Sequence, residues 1–189
     1  MVILQVGCNN CQDEVKDFVL AAQEKIEKFI VIDALPKSID CARQVYSELG
    51  PKLIPITCAV GTASGIIPFY FPEAEEGSVH ASASLEHVFQ HRHEKVYAFY
   101  SPVVDLNNII KSLGLSKIDR LYLDMEGWDV DTLLHLDFAA VEIPFIEFEY
   151  THSDGSFTVG EKYSKLVEKL MSLGYGLAKS GEYNLRATK

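Results

Sequence analysis

Two sequence periodicities alternate along this chain, and their alternation restricts the fold more than any other feature. Short uninterrupted apolar runs, such as Val2–Val6 and residues 29–32, are typical of buried strands. After the first run, apolar residues recur at helical spacing at Val15, Phe18 and Val19, as on one face of an amphipathic helix. Strands that alternate with helices predict right-handed crossovers, and hence an α/β fold with a mainly parallel sheet covered on both faces.

Further apolar runs continue the series. Residues 53–58, 96–99, 118–123 and 145–150 each predict a strand, and residues 66–71, which end at a proline, predict a strand at the edge of the sheet. Residues 175–178 and 184–186 predict a terminal hairpin, which makes one sheet edge antiparallel. Residues 73–94 keep no period and are rich in Glu, Ser and His, which is typical of a long functional loop or lid.

Length and charge narrow the class of protein. A chain of 189 residues is expected to form a single domain, here residues 1–189. The net charge of −10 argues against nucleic-acid binding. The apolar runs are too short to span a membrane, and the first residues lack the basic start of a secretion signal. We therefore expect a cytoplasmic protein whose four cysteines are reduced thiols.

The topology itself predicts where a ligand binds. In doubly wound sheets, ligands lie at the carboxyl ends of the strands, where the winding reverses. The residues directly after the predicted strands are the turn from Gly7 to Cys11, Asp33, Ala59-Val60-Gly61, and the run from Asp124 to Gly127. We expect these segments to meet at one crevice.

The first two segments are typical of a nucleotide-like cofactor. In the turn Gly7-Cys8-Asn9-Asn10-Cys11, small residues let a ligand approach the backbone at a helix start. With a single glycine, the same turn is equally well explained as a simple tight turn. Asp33, at the end of the second strand, is placed to accept hydrogen bonds from both hydroxyls of a ribose. The alternative for Asp33 is a solvated loop carboxylate.

Asp124 and Glu126 are separated by one residue after a strand predicted at the sheet centre. Extended backbone directs both side chains to the same side. Two such carboxylates serve as a general base with its orienting partner, as ligands of a hard cation, or as acceptors for a charged substrate group. The structural alternative is that one of them caps the helix that begins near Trp128.

Two other groups indicate different chemistry. Cys8 and Cys11 form a Cys-x-x-Cys pair at a helix start, a geometry that lowers the thiol pKa in redox enzymes. The irregular segment contains four histidines: His80, His87, His91 and His93. They are candidate metal ligands, or they are simply exposed to solvent or substrate. Spaced histidines in a polar loop favour exposure, so we assign no metal ligands from the sequence.

Several short blocks of the sequence, taken together, form a recognisable series. One of them, which follows a strand and precedes a helix, is Asp124-Met125-Glu126-Gly127. The other blocks, in chain order, are Val6-Gly7-Cys8-Asn9-Asn10, Ile32-Asp33, Ile56-Thr57-Cys58-Ala59-Val60-Gly61, Val104-Asp105-Leu106, Ile118-Asp119-Arg120-Leu121-Tyr122-Leu123 and Ile146-Glu147-Phe148-Glu149. Over almost the whole chain, these blocks resemble the FkbM family of S-adenosylmethionine-dependent methyltransferases. The most specific of these blocks is Asp124-Met125-Glu126-Gly127, which is similar to the family signature Lys-Ile-Asp-Val-Glu-Gly.

The resemblance implies a Rossmann-like class I methyltransferase fold with a central sheet of about seven strands. It also implies methyl transfer from S-adenosylmethionine to a hydroxyl of a small molecule, sugar or lipid. The implied roles are the donor loop for Gly7, Asn9 and Asn10, the ribose for Asp33, the adenine for Ala59 and Val60, and the methyl-transfer centre for Asp124 and Glu126. A divalent cation that bridges these two carboxylates is an option that nothing else in the sequence supports.

Three residues depart from the family pattern. Gln5 stands where the family usually has an acidic residue, Cys11 replaces the closing glycine of the donor loop, and Tyr122 replaces the lysine of the signature. The first two departures motivate a second hypothesis, a non-catalytic binding module on an eroded methyltransferase fold. The Cys-x-x-Cys pair motivates a third, a thiol oxidoreductase. Because few residues precede the first strand, we expect part of the lid to come from the second subunit of a homodimer.

Overall fold

The computed structural model describes residues 1–72, 81–90 and 95–189. Its strands are β1 (Val2–Val6), β2 (Lys28–Asp33), β3 (Leu53–Thr57), β4 (Ala59–Gly61), β5 (Gly65–Pro72), β6 (Val96–Asp105), β7 (Arg120–Leu123), β8 (Phe145–Glu149), β9 (Gly176–Ser180) and β10 (Asn184–Thr188). Its α-helices are α1 (Glu14–Ala22), α2 (Pro36–Val45), α3 (Leu85–Gln90), α4 (Leu106–Ser112), α5 (Asp129–His135) and α6 (Glu161–Ser172). Within these ranges, no helix combines the length and the apolar character needed to cross a membrane.

Seven of the described strands form one sheet in the order β3-β2-β1-β7-β8-β10-β9. Strands β3, β2, β1, β7 and β8 run parallel, whereas β10 is antiparallel to both β8 and β9. From β1 the chain winds outward to β2 and β3, and it returns to place β7 on the other side of β1. The winding therefore reverses between β1 and β7. The predicted parallel sheet and its antiparallel C-terminal hairpin are confirmed.

The first strand shows how the sheet is buried on both faces. Ile3 lies in one core with Phe29 and Val31, whereas Leu4 and Val6 lie in the larger core on the opposite face. Neighbouring side chains of a strand point to opposite faces. A strand covered on both sides therefore needs an uninterrupted apolar run, which is what the sequence shows.

One strand prediction was wrong in its placement. The sequence predicts residues 66–71 at the edge of the main sheet, but β5 pairs antiparallel with β6 in a second sheet of order β4-β6-β5. Aromatic contacts across this pair explain the choice. The ring centroids of Phe69 and Phe99 are 5.8 Å apart, and those of Phe71 and Tyr97 are also 5.8 Å apart. An apolar run identifies a strand without selecting its neighbour.

The segment 73–94, predicted as a loop or lid, lies partly outside the described residues, since 73–80 and 91–94 are not described. In the described part, Ser82 exchanges two backbone hydrogen bonds with Tyr70. Helix α3 then follows, and the hydroxyl of Ser84 accepts a hydrogen bond from the backbone N–H of His87, as a helix cap does. A short helix therefore stands where the sequence shows no helical period, and the lid stays a prediction.

Candidate functional site

A cleft that is open to solvent on one side lies at the carboxyl ends of the central strands. Seven of the eight predicted site residues line it: Gly7, Asn9, Asp33, Ala59, Val60, Asp124 and Glu126. The structure does not bring Asn10 to this cleft. Its side-chain oxygen instead accepts a hydrogen bond from the backbone N–H of Gln12. The expectation that distant strand ends meet at one crevice is met for the other seven.

Gly7 lies where two strand ends approach closely. Its φ is +78°, and a Cβ at this position would overlap the backbone carbonyl oxygen of Asp124. Only glycine fits both the conformation and the contact. The turn after β1 therefore passes directly beside the end of β7, which places the predicted donor loop next to the predicted catalytic carboxylate.

The carboxylate of Asp33 holds the same turn from the other side. Its Oδ2 accepts hydrogen bonds from the backbone N–H groups of Cys8 (3.0 Å) and Asn9 (3.2 Å), and its Oδ1 accepts one from Leu35 (2.8 Å). Burial raises the pKa of Asp33, although these N–H donors oppose the shift. Since Oδ1 keeps one lone pair, the predicted ribose contact stays compatible with this loop-holding role.

Local contacts accommodate two residues that depart from the family pattern, Gln5 before the turn and Cys11 within it. Gln5 donates from Nε2 to the carbonyl oxygen of Gly7 (3.3 Å) and to the carboxylate of Asp13 (2.8 Å). Asp13 in turn caps α1 by accepting from the backbone N–H of Lys16 (2.9 Å). Cys11 is fully buried and takes a φ of +52°, so the left-handed turn forms without the glycine. Although position 5 is not acidic, the acidic side chain of Asp13 lies beside the turn through its contact with Gln5.

The thiols of Cys8 and Cys11 are free and almost completely buried. The hydrogen bond between them raises the pKa of Cys8, with burial acting in the same direction, and it lowers the pKa of Cys11. Thiol–disulfide exchange needs a thiolate that a substrate can reach. The burial of both sulfurs therefore disfavours the oxidoreductase hypothesis.

Acidic side chains converge on the other side of the cleft. Asp124 follows β7 and faces the open space, and Glu126 is half-buried beside it with a φ of +53°. Desolvation inside the cleft raises the pKa of each to about 8, and the charge of Glu149 adds to both shifts. Neither residue caps α5, because the N-cap is Trp128 and its side chain makes no cap bond. The helix-capping alternative was therefore wrong.

Two histidines lie beside Glu126: His87, one of the four for which the sequence left metal ligation open, and His152, which the sequence did not single out. The Nε2 atom of His87 lies 2.8 Å from Oε2 of Glu126, and Nε2 of His152 lies 3.3 Å from Oε1 of Glu149. The two imidazole centroids are 4.5 Å apart, and burial lowers the pKa of His87 to about 4. His152 follows β8 by three residues, so the rule of strand ends could have found it. No sequence signal places His87 here.

Asp129 is a buried acid behind this cluster, and we expect it to make stability depend on pH. Both of its oxygens lie 3.2 Å from the backbone nitrogen of Met125, and burial raises its pKa well above the usual range. The folded chain thus keeps a proton that the unfolded chain releases above about pH 4. The stabilisation is complete below that pH and is lost as the pH rises toward the folded pKa, by up to about 1.4 kcal/mol per pH unit.

Urea denaturation between about pH 5 and pH 8 checks this expectation. Asp129→Asn should give a flatter dependence of the free energy of unfolding on pH than the wild type. Asp40→Asn, which removes an exposed carboxylate paired with Arg43, is the control and should keep the wild-type slope. An unchanged slope in Asp129→Asn would show that this carboxyl does not hold the proton.

The reversal of winding, the glycine turn pinned by an acid at the end of β2, and the acidic cluster after β7 define a doubly wound nucleotide-binding fold. The antiparallel β10, inserted between β8 and β9, makes it a Rossmann-like fold of the class I methyltransferase type. The methyltransferase FkbM domain model matches residues 5–177. The chain belongs to that family, and the predicted family and fold class are confirmed.

Similar solved structures share little sequence with this chain. TrmK of M. capricolum, in complex with S-adenosyl-homocysteine, is 10% identical with a TM-score of 0.42, over 100% of this chain and 62% of that one. A SAM-dependent methyltransferase from Aquifex aeolicus is 11% identical with a TM-score of 0.41, over 99% and 80%. The SAH-bound Podospora anserina methyltransferase PaMTH1 is 12% identical with a TM-score of 0.48, over 98% and 70%. No curated protein matches the sequence.

Proposed function

We propose that this chain transfers a methyl group from S-adenosylmethionine to a hydroxyl of a small molecule, sugar or lipid. Membership of the FkbM family supports the donor, because S-adenosylmethionine is the donor that this family uses. The observation that carries the proposal is the cleft, where Gly7, Asp33 and Asp124 border one continuous space. A cleft at the point where the winding of an α/β sheet reverses is where small molecules and cofactors bind in such folds.

The walls of the cleft suit the parts of an adenosyl group. Among the described residues, the side-chain oxygens of Asn9 and Ser38 are buried without a hydrogen-bond partner, and both residues line the cleft with Asp33. Buried polar atoms of this kind need a partner, which ribose hydroxyls would supply. Ala59 and Val60 offer apolar surface for a base ring. The residues present therefore fit the donor.

The acidic side of the cleft suits the chemistry of transfer. When bound, S-adenosylmethionine supplies a methyl group carried on a cationic sulfur. An oxygen that attacks the methyl carbon in line displaces this sulfur. Holding the reactants in line contributes about 7–11 kcal/mol in favourable cases. Asp124 and Glu126 are placed to accept the proton that the hydroxyl loses. A positive charge beside the two carboxylates, such as that of the donor's sulfur, would lower their pKa and so favour the ionised forms that accept a proton.

Calorimetric titration with S-adenosylmethionine and with S-adenosylhomocysteine tests the donor site. We expect saturable binding of both by the wild type and at least about tenfold weaker binding by Asp33→Asn, whose amide NH₂ would face backbone N–H donors. Asp154→Asn is the matched control. Asp154 also accepts three backbone N–H groups, those of Gly160, Lys162 and Tyr163, but it does not line the cleft.

The outcome also decides between the two remaining hypotheses. If the folded wild type gives neither heat nor a thermal shift with either ligand, the fold is an eroded binding module and the proposal is wrong. Three further predictions belong to the same proposal. They are a single domain with a lid over residues 73–94, a homodimer that completes this lid, and a cytoplasmic location.

A further inference from the structure

His87 and His152 lie beside Glu126, and methyl transfer does not itself require two histidines at this place. We propose that His87, Glu126 and His152 form a binding site for a divalent transition-metal ion at the acidic side of the cleft. One nitrogen or oxygen ligand atom from each residue lies within 4.8 Å of those of the other two. The three residues come from α3, the end of β7 and the end of β8, so the fold itself assembles the cluster.

The distances bring the ligand atoms close enough to share an ion after a small adjustment. The Nε2 atom of His87 and Oε2 of Glu126 are 2.8 Å apart. Tetrahedral zinc ligands that each lie about 2.0–2.2 Å from the ion are about 3.3–3.6 Å apart, so these two side chains would separate by roughly half an ångström. The hydroxyl of Ser156 lies 3.3 Å from the other ring nitrogen of His87. It is placed to accept a hydrogen bond from Nδ1–H, a tautomer in which Nε2 carries the lone pair that would bind the ion. Such outer partners fix the tautomer of metal-binding histidines.

The surroundings of the cluster favour a cation. His87 and His152 are buried, and only 21% of the Glu126 side chain is exposed. The side chain of Glu149 lies next to the cluster through its contact with His152, and its Oε2 is buried with no hydrogen-bond partner among the described residues. Buried carboxylates are stable when they are paired or bind a metal. A divalent ion would favour the ionised form of Glu126 and give the buried oxygen of Glu149 a positively charged neighbour.

The donor set indicates the class of metal. Two imidazole nitrogens and one carboxylate oxygen suit Zn²⁺ and similar transition-metal ions, and they match catalytic sites that keep an open position. Mg²⁺ prefers oxygen ligands and retains water. The site is therefore expected to select zinc over magnesium.

Metal binding would also rearrange the residues around His152. Its Nδ1 accepts a hydrogen bond from the backbone N–H of Phe157 (2.8 Å), so its Nε2 carries the ring proton in the metal-free chain. Coordination through Nε2 requires that proton on Nδ1 instead, which breaks the bond to Phe157. Phe157 has a φ of +52° and is 57% exposed. Its strained backbone lies at the surface, where a rearrangement needs no repacking of the core.

An ion at this position borders the same space as Asp124. A hydroxyl bound to such an ion loses its proton more readily at neutral pH, so the ion would activate the methyl acceptor. This role rests on the proposed function, whereas the metal site itself does not.

Untagged protein treated with a chelator and then dialysed provides the test, with ZnCl₂ and MgCl₂ as titrants followed by calorimetry and thermal unfolding. We expect the wild type to bind about one zinc ion per chain and to prefer zinc over magnesium. His87→Ala and Glu126→Gln should each weaken zinc binding at least about tenfold. His135→Ala is the matched control, because it removes another histidine–carboxylate contact, with Asp105 at 3.0 Å, on the exposed surface.

Glu126→Gln is nearly isosteric and keeps the test valid if His87→Ala does not fold. Failure of the folded wild type to bind zinc, or equal zinc affinity in the wild type and both variants, overturns the site. Titration of the same samples with S-adenosylhomocysteine separates the two proposals. A chain that binds this ligand but no zinc refutes the metal site alone, and a chain that binds zinc but not this ligand refutes the donor site alone.

Discussion

Gly7→Ala is expected to lower the affinity for S-adenosylhomocysteine by about 100-fold or more and the free energy of unfolding by about 2–5 kcal/mol. The new Cβ would overlap the carbonyl oxygen of Asp124. Relief of this overlap separates the turn after β1 from the end of β7, and a loss of about 2.8 kcal/mol of contacts between the ligand and these two segments lowers the affinity 100-fold. The loss of stability combines the penalty for a left-handed alanine with that of overpacking.

Gly114→Ala separates these two effects. Gly114 also has a positive φ, +63°, but a Cβ there would meet nothing within 4 Å. The control should therefore lose only about 1–2 kcal/mol of unfolding free energy and keep the wild-type affinity for S-adenosylhomocysteine. Calorimetry and urea denaturation on both variants provide the measurements. Wild-type affinity in Gly7→Ala would show that the donor does not depend on this turn.

The sequence predicted the sheet and most of the cleft for a physical reason. Buried parallel strands need continuous apolar runs, and a doubly wound sheet brings their carboxyl ends together. Gly7, Asp33 and Asp124 each follow such a run directly, so their convergence depends on topology and not on contacts between side chains. Asn10 belongs to the same turn, yet the turn directs its side chain toward Gln12, and this detail depends on local dihedral angles.

The rest of the site depends on tertiary contacts that no period in the sequence records. His87 reaches Glu126 from α3, a helix of six residues that is too short for a recognisable helical pattern. Strand β5 leaves the main sheet because its aromatic side chains pair with those of β6. Both features follow from contacts between segments that are distant in sequence.

Backbone strain marks the site independently of these contacts. In the described ranges, the non-glycine residues with positive φ are Asn9, Cys11, Glu126 and Phe157. Asn9 and Glu126 line the cleft, Cys11 lies in the turn after β1, and the Phe157 ring centroid lies 4.5 Å from that of His152. Such conformations persist where the surrounding structure imposes them, and they concentrate at functional sites. Their grouping around one cleft therefore supports the same assignment as the acidic cluster.

Asp124→Asn is expected to reduce methyl transfer about 100-fold or more while changing the affinity for S-adenosylhomocysteine less than about threefold. An amide fills the same space as the carboxylate but does not accept the proton that the hydroxyl loses. The measurement is the release of S-adenosylhomocysteine with an acceptor found by screening sugars and small alcohols. Glu142→Gln is the control, because it removes an exposed carboxylate paired with Lys117 at 3.0 Å, and its rate should equal that of the wild type.

Comparison with Glu126→Gln assigns different roles to the two carboxylates. If Asp124 is the base and Glu126 a metal ligand, Asp124→Asn loses turnover but keeps zinc affinity, whereas Glu126→Gln loses both. This division follows from the structure, since Glu126 contacts His87 and Asp124 faces the open cleft beside the turn after β1. Wild-type turnover in both variants would show that neither carboxylate is catalytic. Transfer would then depend on the orientation of donor and acceptor alone.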